Sequence, residues 1–284
     1  MAKRTLKPFP YDQAPYVRPG TALRDAWGRL HKGDCEPFPD AAAVAALARR
    51  HEKLAPACGL PRAATMLQDS WRAYHCGAFG EAMAQGVALG HLGANVANKA
   101  TNVYATYLET DAARKLILFQ DVINRAEALQ VAAPDLPNAW YLHAQALGRY
   151  SQGISVAKAL AQGLASRVRR SLEQTLALAA THAEAHIAFG AYHAEIVAKV
   201  GATMAGLTYG AKRDAALQHF ETALRLLPNS AIARIEYANA LAMLYGRARL
   251  KDARRLYAEA AASVPEDAME RLDVELAKSE LVAG

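Results

Sequence analysis

The sequence predicts an all-α fold in which antiparallel helix pairs stack side by side. Three observations predict it. No run alternates apolar and polar residues at period two with β-branched side chains, so strands are not expected. Prolines, frequent up to Pro61, then recur only at Pro134, Pro137, Pro228 and Pro265, which leaves long stretches free to be helical. Finally, small, aromatic and proline landmarks return in phase. Ala216, Phe220 and Ala223 precede Pro228 by 12, 8 and 5 residues, and Ala253, Tyr257 and Ala260 precede Pro265 by the same offsets.

Each element follows in order. Residues 1–21 carry Pro8, Pro10, Pro15 and Pro19, spaced too closely for a helix, and read as an extended tail. Repeats begin near residue 22. Trp27, His31 and Gly33 recur as Trp71, His75 and Gly77 with unchanged offsets, so 22–133 reads as degenerate repeats, with 37–61 irregular. Residues 134–228 read as two lengthened repeats and 229–265 as a regular one. Asn229 or Ser230 can cap the helix after Pro228, whose inward face holds Ile232, Ile235, Ala238 and Leu241. Asp267 and Glu270 open a last, capping helix over 266–284 in the manner of a capping box. In each pair, residues three and four apart share one face. Alanines there let a neighbouring helix approach, the aromatic fills the groove, and the proline ends the helix.

This pattern resembles the tetratricopeptide repeat (TPR), a unit of roughly 34 residues formed by two antiparallel helices. Ala144, Gly190 and Ala238 match the small residue at the eighth position of the family's first helix. Trp140 matches its first-helix Trp, and Pro134, Pro228 and Pro265 its final proline, with Ala180 standing where one proline is missing. The resemblance implies a TPR-like α-solenoid and a non-catalytic scaffold that binds a protein or peptide in a concave groove. First-helix positions 2, 5, 9 and 13 line that groove in the family. Here they fall on Asn138, Tyr141, Gln145 and Arg149, on Glu184, Ile187 and Glu195, and on Ile235, Asn239 and Met243. Asn and Gln can hold an extended backbone, and Arg149 can take a carboxylate in a fork. Tyr141, Arg149 and Asn239 are the expected hot spots.

Two insertions stand out. Spacing between successive repeat ends is 46, 48 and then 37 residues, so the first two repeats carry about 12 and 14 extra residues. The excess falls within 148–167 and 196–213. Both segments mix aliphatic residues with glycines, and Tyr150, Gln152, Lys158, Lys199 and Tyr209 supply polar groups. They fit either lengthened first helices stopped by glycines or a half-apolar ligand pocket. GRYSQGIS at 148–155, the Gly-punctuated second insertion and the helix with Phe220 look like the T-component proteins associated with TRAP transporters, over about residues 65–280. That resemblance implies a small-molecule binder or a partner of substrate-binding proteins, the second functional reading. An enzyme is the third.

No catalytic or cofactor-binding constellation is found. His182, His186 and His193 at i, i+4 and i+11 place the third ring almost three turns from the first, so packing or capping roles are expected in preference to metal ligation. Gly206 and Gly210 before Lys212 lack phosphate-loop spacing, and no GxSxG or dinucleotide fingerprint occurs. No metal or cofactor is expected. The net charge of +6 is mild and spread out, so a nucleic-acid partner is not expected. The run Arg167, Arg169 and Arg170 reads as a solvated helix face, while Lys3, Arg4 and Lys7 can steer an acidic partner. Cys35, Cys58 and Cys76 are odd in number and form no CxxC, which suits a reducing compartment. The longest apolar run, Ala41–Ala48, cannot span a membrane, and the first residues show no signal-peptide pattern. The expected location is the cytoplasm.

Overall fold

The computed structural model describes residues 6–283, and among them no strand occurs. The fold is the all-α, TPR-like class that the repeat pattern predicts. Its helices are α1 (Ala22–Leu30), α2 (Ala41–Arg50), α3 (Leu60–His75), α4 (Phe79–Ala88), α5 (Ala94–Val103), α6 (Ala112–Ala132), α7 (Pro137–Gln152), α8 (Val156–Ala161), α9 (Leu164–Leu178), α10 (Ala183–Val200), α11 (Ala202–Tyr209), α12 (Arg213–Leu226), α13 (Ala231–Tyr245), α14 (Leu250–Ala261) and α15 (Ala268–Ala283). Among the described residues, no helix is long and apolar enough to cross a membrane.

Two compact units partition the chain. The first comprises Met1–His31, Glu36–Ile154 and Asp267–Met269; the second comprises Lys32–Cys35, Ser155–Glu266 and Glu270–Gly284.

In the first unit α3 pairs with α4 and α5 with α6, and α7 lies along α6. The repeated Trp and His landmarks meet one another. Trp27 and Trp71 sit edge-on with centroids 5.8 Å apart, and His31 and His75 bond through their Nε2 atoms at 3.1 Å. Glycine governs the α4–α5 crossing. A Cβ on Gly86 would come within 2.8 Å of the Gly93 carbonyl oxygen and 2.9 Å of the Ala97 nitrogen. The chain from Leu6 to Gly20 is non-helical apart from a short 3-10 turn, as its prolines require, and it is anchored. Phe9 and Tyr16 are buried, Phe9 packs edge-on against Phe79, and Lys7 Nζ donates to Thr110 Oγ1 at 2.8 Å. Lys3 and Arg4 lie outside the described residues. After α5 the chain makes one π-helical turn, Tyr104–Leu108, before α6 begins with Asp111 as its cap. The stretch read as irregular from the sequence contains α2, capped by Asp40.

In the second unit α9 packs on α10, α10 pairs with α12, α13 with α14, and α15 covers the end through Val274 and Ala277 against Ile235 and Ala260. Ser230 caps α13 and accepts from the Ala233 N–H at 3.2 Å. The start of α15 differs from a plain capping box. Glu270 reaches back to the Glu266 N–H at 2.8 Å, while the Asp267 carboxylate accepts from His75. Ala216, Phe220 and Ala223 are fully buried. The Phe220 ring stacks on Tyr237 with centroids 5.1 Å apart and sits where a side chain at position 190 would be.

The two insertions fold into extra helices. α7 continues to Gln152, and α8 then precedes α9; α10 continues to Val200, stops at Gly201 with φ +80°, and is followed by α11. Lengthened first helices with glycine stops describe part of each insertion, and a separate short helix the rest.

A Cβ at residue 190 would lie 2.8 Å from the Phe220 ring, so Gly190→Leu should destabilise the second unit by about 1–3 kcal/mol through overpacking. Phe220→Ala should cost about 3–5 kcal/mol by leaving a cavity. Thermal unfolding by circular dichroism measures both, and a melting temperature unchanged in Gly190→Leu would contradict this packing.

Candidate functional site

The first helices of the first unit carry a polar row that the repeat register places on one face. On α7 it is Asn138, Tyr141 and Gln145. On α5 the same spacing of three and four selects Asn95, Asn98 and Asn102. The rows meet at their first and last positions. Asn95 and Asn138 both donate to the Glu36 carboxylate, at 3.0 and 2.5 Å, and the Asn102 amide donates to Gln145 Oε1 at 2.8 Å. Asn98 Oδ1 accepts from Arg125 Nε at 2.8 Å. Three atoms of this α5 row, Asn95 Oδ1, Asn98 Nδ2 and Asn102 Oδ1, are buried without a hydrogen-bond partner. Each such group costs about 1–3 kcal/mol of desolvation, so this face is polar at an energetic cost.

A segment of the chain itself already lies on the face. Glu36 to Pro39, between α1 and α2, has no helical structure. The Trp27 indole N–H donates to the Glu36 carbonyl at 2.8 Å, and the Gln68 amide donates to the Pro39 carbonyl at 3.0 Å. Phe38 stands edge-on to Trp27 with centroids 5.1 Å apart, beneath the Arg24 guanidinium. Backbone carbonyls thus meet indole and amide donors, and the carboxylate meets two asparagines.

The residues expected in the groove are therefore engaged within the chain. Asn138 and Tyr141 are buried and Gln145 is half-buried. Arg149 is half-buried and donates to Gln152 Oε1 at 3.3 Å. In the second unit Glu195 pairs with Lys199 at 2.9 Å, the i,i+4 pair the spacing suggests, Asn239 accepts from the Tyr257 hydroxyl, and Met243 is exposed. Ile187 and Ile235, placed in the groove by register alone, are core residues instead, and the Glu184 N–H donates to the Gly33 carbonyl at 3.0 Å. Of the residues expected to line a ligand pocket, Tyr150 is half-buried at the end of α7 with Gln152 exposed nearby. Lys158 is exposed on α8 and Lys199 at the end of α10, while half-buried Tyr209 ends α11. The Asn95, Asn98 and Asn102 row is missed by the sequence reading. Its signal, asparagines at i, i+3 and i+7 in ANVANKATN, lies where no aromatic or proline landmark marks a repeat.

Histidines form two networks. In the first unit Asp267 Oδ2 accepts from His75 Nδ1 at 2.8 Å, so His75 Nε2 accepts from His31. Both rings lie buried between Trp27 and Trp71, where they hold helices together away from solvent. Burial pushes the His75 imidazole down to about 4 despite the Asp267 bond. In the second unit His193, Phe189 and His219 stack in near-parallel planes. His186 Nε2 donates to the Ala180 carbonyl, so its Nδ1 accepts from His219 Nδ1 at 2.8 Å. His182 caps α10, its Nδ1 accepting from the Ala185 N–H at 3.0 Å. Among the described residues no group of His, Cys, Asp and Glu has metal-binding geometry. Burial, reinforced by Arg169 for His193 and by the neighbouring imidazoles for His219, lowers both to about 4.

A folded-state pKa near 4 lies below the ordinary value of about 6.5, so between these values the unfolded chain binds more protons. The stability these rings contribute is complete above pH 6.5 and declines as pH falls toward 4. Melting temperature should therefore drop between pH 7 and about pH 4.5, and His219→Phe, which keeps the stack but cannot protonate, should shrink that drop. An equal drop in the variant would contradict the network.

No family model matches the chain, and no curated protein matches it. Among solved structures, the chain is similar to a thermophilic TPR protein of Thermus thermophilus, with a TM-score of 0.55 and 15% identity over 76% of this chain and 99% of that one. At this identity the likeness shows the fold, and it agrees with the repeat landmarks. The narrower likeness to TRAP-transporter T-components finds no support among these comparisons.

Proposed function

We propose that the chain is a non-catalytic interaction scaffold that takes an extended stretch of a protein partner on its first-helix polar face. One observation carries the reading. Asparagines at matching repeat positions of α5 and α7 converge on that face and already hold a non-helical stretch through the Glu36 carboxylate, and half-buried Gln145 and Arg149 continue the α7 row beyond it. Side chains placed only for packing would be apolar at such positions, because desolvating an amide without a partner opposes folding.

The segment Glu36–Pro39 supports the reading further by illustrating the chemistry the face accepts. It is a non-helical, proline-containing stretch whose carbonyls meet side-chain donors and whose carboxylate meets two amides. Gln145 and Arg149, about two and three turns beyond Asn138 along α7, extend the same face, with Arg149 suited to a carboxylate. TPR-like folds are made for such work because stacked first helices present side chains at fixed spacing along one surface.

Affinity capture with the tagged full chain tests the proposal. A defined protein partner should be retained, and Arg149→Glu should weaken capture by about tenfold or more, as loss of a hot-spot contact does. Its melting temperature should not change, because the side chain is only half-buried. Undiminished capture by the variant would remove the α7 face from the proposal. Native mass spectrometry of gently purified chain distinguishes the small-ligand alternative, which requires a mass above that of the polypeptide.

A further inference from the structure

The extra helices α8 and α11 run against the ordinary logic of folding. Helices of this length are marginal in water and persist in proteins by burying an apolar face. Yet α8 buries no residue, and α11 buries only Ala205. Val156 and Leu160 on α8 are 58% and 51% exposed, and Met204 and Leu207 on α11 are 53% and 84% exposed. Both helices lie at one end of the second unit. α8 leads through Gly163 directly into α9, and Arg169 in α9 donates to the carbonyl of Tyr209, the last residue of α11, at 3.2 Å.

The charge around them is one-sided. Residues 148–172 and 196–213 contain no Asp or Glu. On α8 Val156 and Leu160 share one side, and Lys158, exposed and two residues from each, leaves from the other side; Lys199, Lys212 and Arg213 flank α11. Acids appear only at the margins: Glu173 is held by Arg169 at 2.7 Å, Glu195 by Lys199 at 2.9 Å, and Asp214 follows Arg213.

We propose that this end of the second unit docks on a lipid bilayer containing anionic phospholipid, with Val156, Leu160, Met204 and Leu207 entering the interface and the lysines and Arg213 meeting headgroup phosphates. Charge complementarity selects this occupant, since clustered cations gain affinity from an anionic bilayer surface. The setting of the apolar groups agrees. They are aliphatic side chains beside lysines, and interfacial segments combine an apolar side with Lys and Arg in this way.

Vesicle co-sedimentation tests it with the full chain. The protein should pellet with phosphatidylcholine vesicles that contain about a quarter phosphatidylglycerol and remain in solution with phosphatidylcholine alone. Met204→Asp with Leu207→Asp should lower the partition coefficient by about tenfold or more, the loss expected when two aliphatic side chains no longer enter the interface. Both positions are exposed, so the melting temperature should be unchanged. Lys158→Glu with Lys212→Glu should remove the preference for anionic vesicles. The proposal is overturned if the protein does not pellet with the anionic vesicles, or if the aspartate variant pellets undiminished. It is also overturned if sedimentation velocity without lipid shows a dimer that the aspartate variant abolishes, which would assign the patch to a second copy of the chain.

Discussion

Each unit depends on helices approaching more closely than ordinary side chains permit. In the second unit the Phe220 ring occupies the space a Gly190 side chain would need, and Tyr237 stacks on the ring. In the first, the backbones of α4 and α5 touch at Gly86, Gly93 and Ala97. Interaxial distance follows from the residue at the crossing, so removing Cβ there sets how neighbouring helices pack. The close α4–α5 crossing also leaves nearly every residue of α5 buried. That burial is what makes its asparagines consequential: on an exposed helix the same residues would simply be hydrated.

The fold is legible because its determinants are local and periodic. Ala216, Phe220, Ala223 and Pro228 lie within one helix and its stop, and they fix a helix, its inner face and its end without reference to distant residues. The paired Trp27–His31 and Trp71–His75 motifs are equally readable, and they pack on one another. The polar face is only half legible. Register places Asn138 and Gln145 on it, but their partners are distant in sequence: Glu36 is 102 residues from Asn138, and Asn102 is 43 from Gln145. No local pattern announces such a pair. Ile187 and Ile235 fail as groove residues for a related reason. Register states which way a position points, whereas the neighbouring helices decide whether that direction meets solvent or core.

The histidines carry the same lesson into electrostatics. Their spacing in the sequence suggests packing or capping in preference to ligation, and of the three on α10 and its cap only His182 caps. His186 and His193 are packed as flat rings. Elsewhere two chains of hydrogen bonds satisfy imidazole nitrogens: His31 to His75 to Asp267 in one unit, and His219 to His186 to the Ala180 carbonyl in the other. A neutral imidazole offers one donor and one acceptor, so a chain of them closes only with fixed tautomers and an acceptor at its end. Asp267 and the Ala180 carbonyl are those ends. A metal would require acceptor nitrogens converging on one point, and stacked rings direct theirs sideways.

The exposed helices show how a fold can hold apolar side chains out in water. The usual support for a short helix is burial of one face, and α11 has almost none. Its support lies in hydrogen bonds at its end. The Tyr209 carbonyl accepts from both the Tyr192 hydroxyl, at 3.1 Å, and the Arg169 guanidinium, while the Ala205 carbonyl accepts from the Ala211 N–H. Burial raises the Tyr192 hydroxyl to about 12, so it remains a donor at any ordinary pH. Groups that a frayed helix would surrender to solvent are thus fixed by side chains of α9 and α10. The helix is held from behind, and Met204 and Leu207 are released from any packing duty. Their exposure follows from how the backbone is anchored and not from a loose end.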